Sequence, residues 1–330
     1  MRDLIFDDET LIHLTPWPAL IDALREAFRI PCEMPQRSNL QIPHRGAIAG
    51  AVLVMPSWVQ DDVIGIKILN VFPNNASIGK PAIHGVYVLS SATDGEILAL
   101  FDAKTLTARR TAATSALAAR FLARPDSSRL LLMGTGHLAP FMAAAHCSVR
   151  PIRHISVWGR SFEKAAVLAR HLSESLNIDS EPVENLESAL SIADVVCTAT
   201  LASQPVLFGA HVKPGTHVDL VGGFTPLMRE ADDTLLRRAR SYVDQRRAAL
   251  LEAGDITDPV ARGIISSDDI VADLSDLCTG RIRVSAKEND ITLFKSVGLA
   301  LEDLATARLA FRSFQINPFA EISLARKHST

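Results

Sequence analysis

The chain has no Cys-x-x-Cys pair and no His-x-x-x-His pair, so no metal is implied by its spacing. Its four cysteines, Cys32, Cys147, Cys197 and Cys278, are scattered, as expected of reduced core thiols in a cytoplasmic protein. No apolar run approaches the roughly 18 residues that a membrane helix needs. The N-terminus is acidic and lacks a signal-peptide core. Basic charge is not in excess either: the formal net charge is −3, which offers nucleic acid no footprint. Repeats, low-complexity tracts and a clear flexible linker are missing too. What remains is an ordinary globular composition, 48% hydrophobic and 22% charged, over 330 residues, enough for two domains and a large core.

Two patterns follow one another along the chain. Residues 15–28 place Leu20, Ile21, Leu24, Ala27 and Phe28 at helical spacing, with Thr15 as cap and Pro16 in the first turn. Residues 47–56, 63–71 and 86–89 are rich in Val and Ile and predict strands, and residues 97–102 pair back across the turn at 91–95. The first hundred residues therefore read as an α+β unit. An Ala-rich helix is expected over 105–124, stopped by Pro125, its small residues permitting close approach on several faces. Beyond it, strands at 130–133, 154–158, 194–200, 216–221 and 241–243 alternate with helices at 138–148, 161–176 and 185–192. Such alternation predicts a doubly wound parallel sheet, so the fold class is α/β. A last amphipathic helix is expected over 298–313.

Leu130-Leu-Leu-Met-Gly-Thr-Gly-His-Leu-Ala139 reads as strand, turn and helix. Gly134 permits the tight turn, and Gly136 lets the backbone reach a pyrophosphate. Ala139 allows close helix–strand packing. With Thr135, His137 and Leu138, these glycines form a candidate phosphate loop at a helix N-terminus, where backbone N–H groups and the helix dipole favour an anion. The bland alternative is a tight turn without a ligand. The next strand ends Val157-Trp158-Gly159-Arg160-Ser161, without the acid that usually takes the ribose hydroxyl of NAD. Arg160 can take a 2′-phosphate in bidentate fashion and Ser161 can donate to it, so NADPH is expected, with NADH possible as a second cofactor. Alternatively, Ser161 only caps a helix and Arg160 is a solvated surface residue.

Three basic sites could hold an anionic substrate: Arg45 at a turn, Lys67 inside an apolar strand, and Arg109-Arg110 on the Ala-rich helix. Taken singly, each would more often be structural or exposed, although a lysine buried in a strand needs a partner.

Ala108-Arg-Arg-Thr-Ala-Ala-Thr-Ser-Ala-Leu-Ala-Ala119, the Gly-Thr-Gly loop, Val221-Gly-Gly223, Tyr242-Val-Asp-Gln245, Glu252-Ala-Gly-Asp255 and Phe294-Lys-Ser-Val-Gly298 together resemble the ornithine cyclodeaminase/mu-crystallin family over nearly the whole chain. The resemblance implies a homodimer. It implies a discontinuous substrate and dimerisation domain, residues 1–118 and 299–330, around a Rossmann domain of residues 119–298. It also implies that Arg45, Lys67 and Arg110 bind the substrate carboxylate. Thr111, Thr198, Thr200, Val221, Gly222 and Ser296 join the cofactor-binding candidates.

The cyclodeaminase carries an aspartate directly after Val-Gly-Gly, whereas this chain has Phe224, which cannot pair with an amine. Asn70-Val-Phe-Pro-Asn74, Pro81-Ala-Ile-His-Gly85 and Gly222-Gly-Phe-Thr-Pro-Leu-Met-Arg-Glu230 resemble most the Δ1-pyrroline-2-carboxylate reductase branch. The activity that this implies is NADPH-dependent reduction of Δ1-pyrroline-2-carboxylate, and of Δ1-piperideine-2-carboxylate, to L-proline and L-pipecolate. His84 is the candidate proton donor to the imine nitrogen, with Lys67 or water as alternatives. Phe224 would wall the ring methylenes. The competing readings are ornithine cyclodeamination, an alanine-type dehydrogenase, and a mu-crystallin-like binding protein without activity.

Overall fold

The computed structural model describes residues 5–44, 47–284 and 287–316. The chain runs through β1 (Ile5–Phe6), α1 (Asp8–Leu14), α2 (Trp17–Ala27), β2 (Ser38–His44), β3 (Ala47–Val59), β4 (Val63–Val71), β5 (Ile83–Ser91), β6 (Ile97–Asp102) and α3 (Ala103–Leu122). It continues through β7 (Arg129–Met133), α4 (Ala139–Cys147), β8 (His154–Trp158), α5 (Phe162–Leu176), β9 (Asp179–Pro182), α6 (Leu186–Ile192), β10 (Val195–Thr198) and β11 (His217–Leu220). The last part holds α7 (Asp233–Arg238), β12 (Ala239–Val243), α8 (Arg246–Glu252), α9 (Gly254–Ala261), β13 (Ile270–Asp273), α10 (Leu274–Thr279), β14 (Ile291–Lys295) and α11 (Ala300–Ile316). Two compact units result: Met1–Arg110 with Leu299–Thr330, and Thr111–Gly298. The first boundary therefore falls inside α3 at 110/111 rather than at the expected 118/119. Among the described residues no helix is long and apolar enough to cross a membrane.

In the first unit, a six-stranded sheet has the order β1-β6-β5-β4-β3-β2. Strands β2 to β6 form an antiparallel meander, and β1 runs parallel to β6. The expected hairpin is β5–β6, with a bulge at Leu89/Ser90. Side-chain alternation sends Val63, Tyr87, Leu89, Ala99 and Phe101 to one face, where Leu11 and Leu14 of α1 and Leu304, Ala307 and Ala310 of α11 complete a core. The end helix differs from expectation. Residues 300–307 of α11 are buried on every side, because α2 packs on the helix away from the sheet.

The second unit is an eight-stranded, wholly parallel sheet in the order β13-β12-β14-β11-β10-β7-β8-β9. Its strands β7, β10 and β14 are buried almost throughout, as the centre of a sheet covered on both faces requires. The chain leaves β7 towards β8 and β9 on one side and returns to β10 on the other, so the strand order reverses between β7 and β10. In an open α/β sheet, ligands bind beyond the carboxyl ends of the strands at such a switch point. The architecture is a Rossmann-type dinucleotide-binding unit with a second α+β unit.

Packing also makes a cluster that spacing could not reveal. Asp219 Oδ2 lies 3.2 Å from His146 Nε2. Donor atoms of His146, Cys197 and Asp219, all buried, lie within 4.8 Å of one another. Cys197 and Cys278 are core residues, while Cys32 and Cys147 are half-buried.

Candidate functional site

The phosphate loop begins where β7 ends. Gly134 sits at φ +122°, and a Cβ there would lie 2.5 Å from the Ala199 carbonyl oxygen, so only glycine is accommodated. Its N–H donates to Trp158 O at 2.9 Å, and Ala199 N–H donates to Met133 O at 2.8 Å, which draws the loop against β8 and β10. Gly136 has open space where a Cβ would stand, leaving its backbone approachable. Thr135 packs towards Gly159, and the exposed His137 sets its ring edge-on to Phe141 at 5.3 Å. Leu138 precedes α4 and provides no side-chain cap. A pyrophosphate fits this arrangement: open glycine backbone leading into an uncapped helix start.

At the end of β8, Arg160 is exposed. Ser161 is the N-cap of α5: its oxygen accepts from Lys164 N–H at 3.3 Å and its hydroxyl donates to Glu163 Oε2 at 2.7 Å. The hydroxyl proton expected to serve a 2′-phosphate is thus engaged by Glu163, an acid two positions beyond Ser161. Arg160 is left as the residue that could recognise that phosphate.

The remaining cofactor candidates lie on α3, at the end of β10 and in the loops after β10, β11 and β14. Thr198 is fully buried, and its hydroxyl donates to Asp219 O at 3.5 Å. Ser296 is buried too and donates to Asp244 Oδ2 at 3.3 Å. Thr111 lies buried on α3. All three hydroxyl residues are buried, Thr198 at the end of β10, Ser296 just beyond β14 and Thr111 on α3. Thr200, Val221 and Gly222 lie at loop positions. Gly222 packs so closely on Thr200 that a Cβ would collide with the Thr200 backbone. Phe224, 48% exposed, projects from the same turn.

Four buried charged residues that sequence reasoning passed over frame these loops. Glu230 accepts from Thr200 N–H and Oγ1, both at 2.8 Å, and from Gly222 N–H at 2.7 Å. Asp255 Oδ1 accepts from Glu230 N–H at 2.7 Å, and its Oδ2 lies 3.2 Å from Lys295 Nζ. Asp244 accepts from Val297 N–H at 2.7 Å and Gly298 N–H at 2.8 Å. Burial pushes the Glu230 and Asp244 carboxyls above their ordinary values, while Lys295 and the backbone donors act in the opposite direction. Acids inside the motifs at 242–245 and 252–255, and the lysine inside 294–298, were the available signal, since a buried charge must find partners.

The first unit holds the cation cluster. Lys67, on β4, is 1% exposed, with Nζ 2.6 Å from Asp303 Oδ2 and 3.5 Å from Thr107 Oγ1. Arg110 donates through Nε to Asp303 Oδ1 at 3.1 Å and through Nη1 to Glu302 Oε2 at 2.7 Å. Asp303 therefore bridges residues from β4 and α3. The buried lysine finds its partner within the protein: carboxylates of α11 already supply negative charge to both cations. Burial pulls the Lys67 ammonium down to about 8, the Asp303 charge opposing the fall and Arg110 adding to it. Arg109 turns elsewhere, with Nε donating to Thr15 Oγ1 at 2.7 Å and its guanidinium 4.1 Å over the Trp17 ring.

His84 lies exposed on β5, paired with Asn70, whereas Lys67 pairs with Tyr87. Alternation places His84 on the opposite face of the sheet, so the chain does not bring the two proposed catalytic residues together. Arg45 lies outside the described residues.

The comparisons agree with this architecture. Residues 7–315 match the ornithine cyclodeaminase/mu-crystallin family model. The Δ1-pyrroline-2-carboxylate reductase of Paracoccus denitrificans is 37% identical over 292 residues, covering 88% of this chain and 90% of the relative. The structure of the Thermococcus litoralis Δ1-pyrroline-2-carboxylate reductase in complex with NADH and L-proline superposes with a TM-score of 0.89 at 31% identity, covering 96% and 98% of the two chains. An archaeal alanine dehydrogenase dimer with bound NAD has a TM-score of 0.87 at 28% identity, covering 96% and 97%. The chain thus belongs to the ornithine cyclodeaminase/mu-crystallin family, with the Δ1-pyrroline-2-carboxylate reductases among its relatives, and is a nicotinamide-dependent oxidoreductase acting on carbon–nitrogen bonds.

Proposed function

We propose that this protein reduces Δ1-pyrroline-2-carboxylate to L-proline, and its six-membered homologue to L-pipecolate, with NADPH as the hydride donor. The observation that carries the reading is a buried, partly deprotonatable Lys67 held beside Arg110 by Asp303, in a chain that also carries the dinucleotide loop. The cofactor supplies the hydride to C2 of the C=N bond. Lys67 Nζ supplies the proton to the imine nitrogen, and an amine poised near neutral pH suits that transfer. Arg110 and Arg45 hold the ring carboxylate. Phe224 covers the ring methylenes. Asp255, the acid beneath Gly223, is fully buried against Lys295 and is not a substitute for the missing aspartate of the cyclodeaminase. The test is cofactor oxidation with the cyclic imine, run beside ammonia release from L-ornithine. Imine reduction without appreciable ornithine turnover is expected, and the reverse would refute the reading.

Arg160 supports NADPH as the preferred cofactor. Replacing Arg160 with Ala should raise the KM for NADPH and leave that for NADH nearly unchanged. Equal changes in both would exclude a role in recognising the 2′-phosphate.

A homodimer is the proposed assembly. Gly65 and Tyr87 face α11, so alternation turns Val52, Val54, Ile64, Ile66, Ile68, Val86 and Val88 to the other side of the sheet, half-buried at most. Such a broad apolar face favours a second copy as its cover. Light scattering should give twice the chain mass for the natural protein and a single chain mass for Ile66→Glu. A dimer that survives this substitution would place the interface elsewhere.

A further inference from the structure

We propose that Glu230 is a positioning residue for the nicotinamide cofactor, fixing the loops after β10 and β11 in the arrangement that dinucleotide binding requires. The inference rests on the oxidoreductase reading above and deepens it. Glu230 belongs to neither the phosphate loop nor the cation cluster. It is fully buried, yet its carboxylate meets four donors from two separate loops: Thr200 N–H and Thr200 Oγ1 at 2.8 Å, Gly222 N–H at 2.7 Å and Gly223 N–H at 3.3 Å. Four donors match the acceptor capacity of an ionised carboxylate. An amide in its place would turn an NH2 donor towards at least one of these N–H groups.

The loops it joins follow adjacent strands, β10 and β11, on the side of the switch point that carries the second mononucleotide half of a doubly wound fold. They also lie close together, as the collision of a Gly222 Cβ with the Thr200 backbone requires. Glu230 is anchored from below, because its own N–H and that of Ala231 donate to Asp255 Oδ1 at 2.7 and 3.1 Å. Lys295, at the end of β14, neutralises Asp255. A Cβ on Gly223 would lie 3.1 Å from Asp255 Oδ2 and 3.5 Å from Lys295 Nζ, so the turn before Phe224 rests on this ion pair. The unit thus stations one buried carboxylate between two cofactor-facing loops and fixes that carboxylate through a second.

Glu230→Gln preserves shape and replaces one acceptor by a donor. The expected result is a dissociation constant for NADPH, read from nucleotide fluorescence without substrate, at least tenfold higher than that of the natural protein. The KM for the cyclic imine at saturating cofactor should stay within twofold. A residue with only a structural role would lower the melting temperature and leave the cofactor constant of the folded fraction unchanged. Should Glu230→Gln fail to fold, Thr200→Val removes a single donor and should weaken NADPH in the same direction, while Thr200→Ser restores it. Folded Glu230→Gln, or Thr200→Val, that binds NADPH within twofold of the natural protein overturns the proposal. A natural protein that binds neither NADPH nor NADH overturns the oxidoreductase reading itself. Binding without imine turnover leaves the positioning role standing and refutes only the substrate.

Discussion

Replacing Lys67 with Met should reduce kcat for imine reduction by roughly 10²- to 10⁴-fold, the range over which a positioned general acid contributes. Cofactor affinity should stay within twofold, because the phosphate loop belongs to the other unit of the chain. The variant should fold, since Asp303 keeps its bond from Arg110 Nε. The pH dependence carries a sign. Desolvation lowers the ammonium from 10.5 to about 8 in spite of Asp303, so the proton-donating form is lost as pH rises through that value. The reductive rate should therefore fall above about pH 8 in the natural protein. Lys67→Arg retains a positive charge that does not titrate in this range and should abolish that limb along with most of the activity. Stopped-flow rates across pH 6.5 to 9.5 (about three units, bracketing the lysine) provide the measurement. A Lys67→Met enzyme within a few-fold of natural kcat would remove Lys67 from the chemistry and leave water as the donor.

Arg110 and Arg109 should separate cleanly, although both are buried and adjacent on α3. Arg110→Ala removes a charged hydrogen-bonding group worth about 1.5–3 kcal/mol, equivalent to a loss of roughly 10- to 150-fold in kcat/KM. It also takes a guanidinium partner from the buried Glu302 and from Asp303, which keeps Lys67, and breaking such a buried pair typically costs about 3–5 kcal/mol of stability, so the melting temperature should fall as well. Lysine should rescue poorly, because one ammonium does not reproduce the guanidinium fork that reaches both Glu302 and Asp303. Arg109→Ala loses its stack on Trp17 and its bonds to Thr15, so it should melt earlier yet keep the catalytic efficiency of the folded fraction. Thermal melts alongside steady-state kinetics of both variants decide this. If Arg109→Ala carries the catalytic loss instead, the residue proposed to bind the carboxylate is the wrong one of the pair.

Much of the fold was legible in the linear chain because its signals are local. The phosphate loop is contiguous, so strand, glycines and helix start could be read from residues 130–139. The Ala-rich stretch before Pro125 announced α3, and the alternation of apolar runs with helical patterns announced the parallel sheet. Elements without a local signature were not foreseen. Strand β9 reads Asp-Ser-Glu-Pro and exists because it pairs along β8. Strand β2 contains Pro43, tolerated because the strand lies at the sheet edge.

By itself, the sequence determined the fold class and the strand–glycine–helix candidate loop, because each follows from periodicity and from glycines adjacent in the chain. Only the tertiary structure decided how charge is arranged. Asp303 meets Lys67 and Arg110 across nearly two hundred positions or more, and Glu230 joins two loops that spacing alone does not place together. Strand alternation, once the register was known, put His84 on the face opposite Lys67. Ser161 could be read equally as phosphate ligand or as helix cap until its hydroxyl was seen donating to Glu163. A buried charge is stabilised by whatever partners the fold brings within hydrogen-bonding distance, which spacing does not name, while the face that His84 takes follows only from strand register and the role of Ser161 only from where its hydroxyl points.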